Sequence, residues 1–170
     1  MHNYAPPKMD YRSLRIGNGY DVHAFTSGRP LMLGGVKIDY PLGLAGHSDA
    51  DVVVHALADA LLSAAHLPDI GECFPPSDPA YKDCDSLQLL KQVGELLDTN
   101  HWRIIDTDIT IIAQEPKLAA YKQAMKEALA RALSIMPHQI GIKATTTEGL
   151  GFVGKKEGIA ALANVLVQYV

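Results

Sequence analysis

From Val52 to Ala65 the chain is almost wholly apolar, interrupted only by His55, Asp59 and Ser63. The run falls short of the ~18 apolar residues that a membrane span requires. Ser48 and Asp49 can cap a helix from about Ala50, and the helix stops near His66, before Pro68. Val52, Val53, Ala56, Leu57, Ala60 and Leu61 form its buried part, so other elements must cover it. The rest of the chain supplies them. Leu14 to Phe25 reads as a strand, with Gly17 and Gly19 allowing close backbone approach. Pro30 to Tyr40 reads as a hairpin turning at Gly34-Gly35. Trp102 to Ala113 and Ile140 to Thr147 read as strands. Ser86 caps a second helix to about Thr99, and Pro116 opens a third that ends near Met136. Gly71 to Asp85, with three prolines, reads as a loop, and Gly158 to Val170 fits strand or helix equally. The expected architecture is α/β (α+β), a mixed sheet covered by helices on one face.

At 170 residues, one domain is the default. Residues 1–13 read as a flexible extension and 14–170 as the domain, since nothing periodic begins before Leu14. A net charge of -4, with scattered Lys and Arg, argues against a phosphate-coating nucleic-acid surface. Two cysteines, Cys73 and Cys84, make neither a disulfide framework nor a thiolate cage. No signal-peptide pattern opens the chain, so the expected location is cytoplasmic.

Four segments carry chemistry. Asp21 and His23, two apart on a strand, point to the same side. Asp51, His55 and Asp59, spaced by four, form one polar stripe on the apolar helix. A strand-borne Asp/His pair and a helix-borne His make three ligands with a fourth position open, the pattern of catalytic zinc. Asp51 and Asp59 would then orient the His55 ring. The alternatives are a satisfied Asp/His pair and a solvated helix face. His47 and Ser48 precede the helix, where free N–H groups favour a phosphate, although a plain cap also accounts for Ser48. Thr145, Thr146 and Thr147 end a strand and can bind phosphate oxygens, and Glu148 is a hard ligand suited to Mg²⁺ or Mn²⁺. A Thr-rich strand end also arises from β-propensity alone.

The order of these segments resembles the 2-C-methyl-D-erythritol 2,4-cyclodiphosphate synthase family. The resemblance is carried by Gly17-Asn18-Gly19-Tyr20-Asp21-Val22-His23-Ala24-Phe25, Gly34-Gly35-Val36 and Ala45-Gly46-His47-Ser48-Asp49-Ala50-Asp51-Val52. It continues through His55 to Leu61, Asp69-Ile70-Gly71, Phe74-Pro75, Asp85-Ser86, Thr110 to Gln114, Pro116-Lys117 and Ala144 to Phe152, covering about residues 15–168. It implies a zinc site at Asp21, His23 and His55, transition-state stabilisation by His47 and Thr146, and a second divalent cation, Mg²⁺ or Mn²⁺, at Glu148. Asp69, Ile70 and Gly71 would contact substrate hydroxyls, and Phe74, Pro75, Pro76, Ser77 and Asp78 would form a flexible loop over the erythritol end. Ala113, Gln114, Glu115, Pro116, Lys117, Leu118 and Ala119, with Thr145 to Glu148, would hold cytidine and its phosphates. Val22, Ser48, Phe152 and Lys155 would add substrate contacts.

The resemblance further implies a four-stranded mixed sheet with a small hairpin, a strand for the tail, and a homotrimer with active sites at subunit boundaries. Its reaction takes 4-diphosphocytidyl-2-C-methyl-D-erythritol 2-phosphate to the cyclodiphosphate plus CMP, without nucleic-acid or membrane partners. This chain departs from the family's pattern at Asn18, Tyr20, Glu115, Lys155-Lys156 and the segment after Pro75, and at none of the three zinc positions. Competing readings are a zinc-dependent phosphoesterase and a non-catalytic trimeric binding module.

Overall fold

Strand-forming sequence from the two ends of the chain meets in the middle of one sheet. In the computed structural model, which describes residues 13–75 and 84–170, β1 (Leu14–Thr26) pairs antiparallel with β7 (Gly158–Tyr169), Asp21 lying opposite Ala161. The tail is therefore strand. β7 pairs antiparallel with β5 (Trp102–Ile112), and β5 runs parallel to β6 (Ile140–Thr145). Among the described residues the sheet order is β4-β1-β7-β5-β6, in which β4 (Gly43–Leu44) is a two-residue edge on β1. The expected four-stranded mixed sheet is present with this short edge added. The hairpin is β2 (Leu31–Leu33) and β3 (Val36–Ile38), turning at Gly34 and Gly35, both at positive φ.

Helix α1 (Val52–Ala65) lies directly on β1 and β7. Its contact with β1 is backbone on backbone. A Cβ at Gly17 would stand 2.6 Å from Ala64 N, and one at Gly19 2.7 Å from Ala60 N. Only glycine permits that approach. Leu57, Leu61 and Leu62 are fully buried, each contributing about 1.5–3 kcal/mol. Helices α3 (Ser86–Thr99) and α4 (Lys122–Leu133) pack beside α1 on the same side. The opposite sheet face leaves Ile16, Tyr20, Val22 and Leu162 exposed.

Several boundaries differ from expectation. Helix α1 is capped by Asp51, not by Ser48 or Asp49, because Asp51 receives the N–H groups of Val53 and Val54. Asp85 caps α3, and Ser86 is its first residue, its hydroxyl turned elsewhere. Pro116 does not open the third helix. It follows a cis peptide bond from Glu115, and α4 begins at Lys122 after a 3-10 turn at Ala119–Tyr121. Ile70–Cys73 forms a short helix, α2, inside the expected loop, with Asp69 receiving Glu72 N–H as its cap. A final short helix, α5, spans Gly151–Gly154.

Candidate metal centre

β1 alternates, so Asp21 and His23 face α1 while Val22, 42% exposed, puts its side chain on the opposite face. Helix α1 presents His55 to the same point because Gly17 and Gly19 let it lie close. Asp21 Oδ2 is 3.0 Å from His23 Nε2 and 3.1 Å from His55 Nδ1, and the two nitrogens are 3.1 Å apart. Three acceptor atoms converge in one small triangle. Ligands on a tetrahedral zinc with bonds of 2.0–2.1 Å are about 3.3–3.4 Å apart, so the donor set fits one cation with a position left open. Among the described residues, Asp21, His23 and His55 are the group of this kind.

The electrostatics agree. Burial pushes the Asp21 carboxyl up, but hydrogen bonds and charge from His23 and His55 outweigh it and hold the carboxyl well below its usual range. Burial pushes His55 down, and the hydrogen bond and charge of Asp21 outweigh it, leaving His55 above its ordinary value. The triangle opens onto a cleft of about 230 Å³, lined also by His47, Ser48, Asp59, Ile70, Gly71, Phe74 and Leu89.

Asp51 and Asp59 do not orient the His55 ring as expected. Asp51, fully buried, accepts N–H from Gly34 (2.9 Å), Gly35 (2.6 Å), Val53 and Val54 (both 3.1 Å), which fastens the hairpin to α1. Burial drives its pKa up, and the backbone N–H groups pull it back. Asp59 accepts Ile70 N–H at 2.9 Å and so holds the cleft's rim. The ring's Nε2 instead meets Ser48 Oγ and Ser86 Oγ, each at 3.1 Å. Ser86 Oγ donates to Asp49 Oδ1, and Ser86 N–H donates to Asp49 Oδ2 at 3.1 Å. Residue-type reasoning treated these side chains as helix caps. It also missed Arg29, which donates to the carbonyls of Gly46 and Ser48 and fixes the segment carrying His47.

The other predicted residues gather in a second cleft of about 280 Å³. Its walls are Ala113, Gln114, Pro116, Lys117, Leu118, Ala119, Lys122, Ala144, Thr145 and Thr146. Both walls leave the carboxyl ends of the parallel pair β5 and β6, where α/β sheets bind ligands. Ala113 N–H donates to Thr145 O at 2.9 Å, and Gly149 N–H to Gln114 Oε1 at 3.3 Å. Thr146 Oγ1 donates to Glu148 Oε1 at 2.9 Å, and Thr147 Oγ1 to Leu150 O at 2.6 Å. Glu115 pairs with Lys156 at 2.6 Å and takes Tyr40 OH at 3.5 Å, beside the cleft. Phe152 lies on α5, 40% exposed, and Lys155 follows it. Pro75 is exposed next to Phe74, whereas Pro76, Ser77 and Asp78 lie outside the described residues. Asp21 and Thr145 sit three strand spacings apart across the sheet, about 14 Å. Within one chain the two clefts are separate.

Fold and site together define a single-domain α+β protein with a His/carboxylate triad that could hold a metal ion, beside a cleft. Residues 14–168 match the YgbB family, and the chain belongs to it. A relative from Moorella thermoacetica, named 2-C-methyl-D-erythritol 2,4-cyclodiphosphate synthase, is 60% identical over 154 residues, covering 91% of this chain and 94% of the relative. The protein of that name from Syntrophomonas wolfei is 54% identical, covering 91% and 99%. The solved CDP complex of IspF from Plasmodium falciparum superposes with a TM-score of 0.81 at 33% identity, covering 94% and 99%. The bifunctional IspDF of Campylobacter jejuni superposes at 0.89 with 46% identity. There this chain covers 92% of itself and 42% of the longer protein. No helix among the described residues is long and apolar enough to cross a membrane.

Proposed function

We propose that the chain is a phosphorus–oxygen lyase of the non-mevalonate route to isoprenoid precursors. It converts 4-diphosphocytidyl-2-C-methyl-D-erythritol 2-phosphate to 2-C-methyl-D-erythritol 2,4-cyclodiphosphate and CMP. The observation that carries this reading is the triangle of Asp21, His23 and His55 donors, 3.0–3.1 Å on a side, opening onto a cleft. Near-full-length relatives bearing that enzyme's name support it.

The 2-phosphate attacks the β-phosphorus of the same molecule and expels CMP. The nucleophile is already anionic, so the site requires neither a serine or cysteine nucleophile nor a water. What it must supply is alignment and relief of charge repulsion. When bound, zinc at Asp21, His23 and His55 supplies Lewis acidity to the β-phosphate, and Mg²⁺ or Mn²⁺ at Glu148 neutralises charge on the departing CMP. His47, held at the cleft mouth by Arg29's grip on its neighbours, and Thr146, its hydroxyl turned from Glu148, donate to the phosphoryl oxygens as charge builds. Asp69, Ile70, Gly71 and the segment Phe74, Pro75, Pro76, Ser77 and Asp78 bind the erythritol end. Ala113, Gln114, Glu115, Pro116, Lys117, Leu118 and Ala119, with Thr145, Thr147, Phe152 and Lys155, hold the nucleotide. Ser48 and Val22 contribute through their main chain. Holding attacker and phosphorus in line contributes up to roughly 7–11 kcal/mol.

The working unit is a homotrimer, in which the nucleotide cleft of one subunit faces the metal cleft of the next. The separation of the clefts within one chain and the exposed Ile16, Tyr20, Val22 and Leu162 support this arrangement. Neither Cys73 nor Cys84 is in a disulfide, which suits the reducing cytoplasm. The catalytic domain runs over 14–170. Incubation with the cytidine substrate and Mg²⁺ in ¹⁸O-water yields CMP and a cyclic product without label, and a zinc chelator stops it. A linear, labelled phosphate would make the protein a phosphoesterase instead.

A further inference from the structure

A histidine ligates a metal through one bare ring nitrogen, and its other nitrogen then carries the proton. His55 faces Asp21 and His23 with Nδ1, so its Nε2 must be the protonated atom, and something on the other side of the ring must accept that proton. The atoms there are two hydroxyls, Ser48 Oγ and Ser86 Oγ, each 3.1 Å from Nε2. A hydroxyl can donate or accept, so by itself it does not select a tautomer. Ser86 is not free to choose. Its hydroxyl hydrogen goes to Asp49 Oδ1, leaving only lone pairs for the ring. Asp49 is held in place by three donors: Ser86 O–H, Ser86 N–H at 3.1 Å and Asp51 N–H at 3.2 Å. Ser48 Oγ accepts Ala50 N–H at 3.2 Å and lies 3.2 Å from Ser86 Oγ, whose lone pairs offer its hydrogen an acceptor other than the ring. Ser86 is wholly buried and Ser48 7% exposed, so water does not compete with these bonds.

We propose that Asp49, acting through Ser86 and flanked by Ser48, is a positioning group that sets the polarity of this hydrogen-bond chain and so keeps His55 Nδ1 bare for the metal. The inference rests on the reading that His55 is a metal ligand, and it assigns Asp49 and Ser86 a role beyond starting helices. It also joins the amino ends of α1 and α3 in one chain: carboxylate, hydroxyl, imidazole, metal. Groups that orient metal-bound histidines in this way typically change affinity 10- to 100-fold when altered.

The discriminating variant is Asp49→Asn. Its size is unchanged, but its amide NH₂ must face either Asp51 N–H and the Ser86 hydroxyl, or Ser86 N–H. In the first case the hydroxyl turns round and donates to Nε2, which places the ring's proton on Nδ1; in the second the hydroxyl keeps its acceptor, the Nε2–H resonance stays, and Ser86→Ala decides. Zinc dissociation constants are measured by competition with a chromophoric chelator for the full-length parent, Asp49→Asn and Ser86→Ala. The His55 Nε2 proton is followed in the zinc-loaded proteins by ¹⁵N-edited NMR. The expected result is a dissociation constant at least 10-fold higher in Ser86→Ala, and in Asp49→Asn wherever the Nε2–H resonance is lost or displaced, with both metal-free proteins folded though melting lower for the buried hydrogen bonds removed. Parent-like zinc affinity in Asp49→Asn and Ser86→Ala would overturn the relay while leaving the metal site intact. A parent that binds no zinc would overturn the metal site itself.

Discussion

Replacing Gly19 with alanine tests whether the backbone contact between strand β1 and helix α1 is what assembles the site. The new methyl carbon would stand 2.7 Å from Ala60 N and closer still to the carbonyl oxygen of Ala56. Non-bonded heavy atoms rest at about 3.5–4.0 Å, so strand and helix must separate by about 1 Å. The obstacle is backbone, which cannot swing aside as a side chain would. The cost therefore lies at or above the upper end of the ~1–3 kcal/mol that overpacking usually imposes. At about 2–4 °C per kcal/mol in a domain of this size, a 3 kcal/mol loss lowers the melting temperature by ~6–12 °C. The same displacement carries His55 away from Asp21 and His23, which now lie 3.1 Å from its Nδ1. Two measurements read these effects, the melting temperature of metal-free protein at matched concentration and the zinc dissociation constant. We expect both to worsen together. A variant that melts within about 1 °C of the parent and binds zinc equally well would refute the idea that this contact positions the donors.

Removing the carboxylate in Asp51→Ala leaves the amides of Gly34, Gly35, Val53 and Val54 without their acceptor. At about 1–3 kcal/mol for each buried donor, the loss is on the order of 4 kcal/mol or more, a large part of a domain's stability. Urea denaturation should show it, with Asp51→Asn in between; a shift under about 1 kcal/mol would contradict the hairpin-anchor role. Stripping bound metal with a chelator lowers the melting temperature, by the equivalent of ~2.7 kcal/mol if the free metal stood at 100 times its dissociation constant. An unchanged melting curve would mean that the donors do not grip a cation in the folded state. Acidification weakens zinc binding, because the metal must displace a proton from His55. Asp21 raises that group above its ordinary 6.5, so the protonated form persists to higher pH than in a free histidine, and affinity begins to fall above pH 6.5. Isothermal titrations at several pH values check this, and a flat profile between about pH 8 and 6 would count against it.

Much of the architecture was readable because long elements carry their period openly. Trp102–Ile112 alternates on either side of a register shift between Ile104 and Asp106, as a half-buried strand should, and the apolar run of α1 marks its own length. Asp21 and His23 were readable for the same reason, since two residues apart on a strand means one face. Local patterns stop short where several residues can do one job. Ser48, Asp49 and Asp51 are all competent N-caps, and only distant partners decide among them. The amides of Gly34 and Gly35 claim Asp51, and Ser86 claims Asp49. Helical spacing placed Asp59 on one stripe with His55, yet its carboxylate is taken by Ile70 N–H. Pro116 looks like a helix opener to any rule that reads only its neighbours, yet the helix starts six residues later, at Lys122. β4, two residues long, is too short to show a period at all.

The contact between Asp49 and Ser86 has a consequence for how the chain can vary. Asp49 N–H also reaches Cys84 O, so residues 84–86 are clamped to residue 49 by main chain and side chain alike. Everything from α1 to the rim residues of α2 therefore leaves and returns through one fastened neck. His55 stands in the first turn of α1 and touches Ser86 directly, so a substitution that loosens this neck at either end is felt at the metal donors as well as at the helix starts.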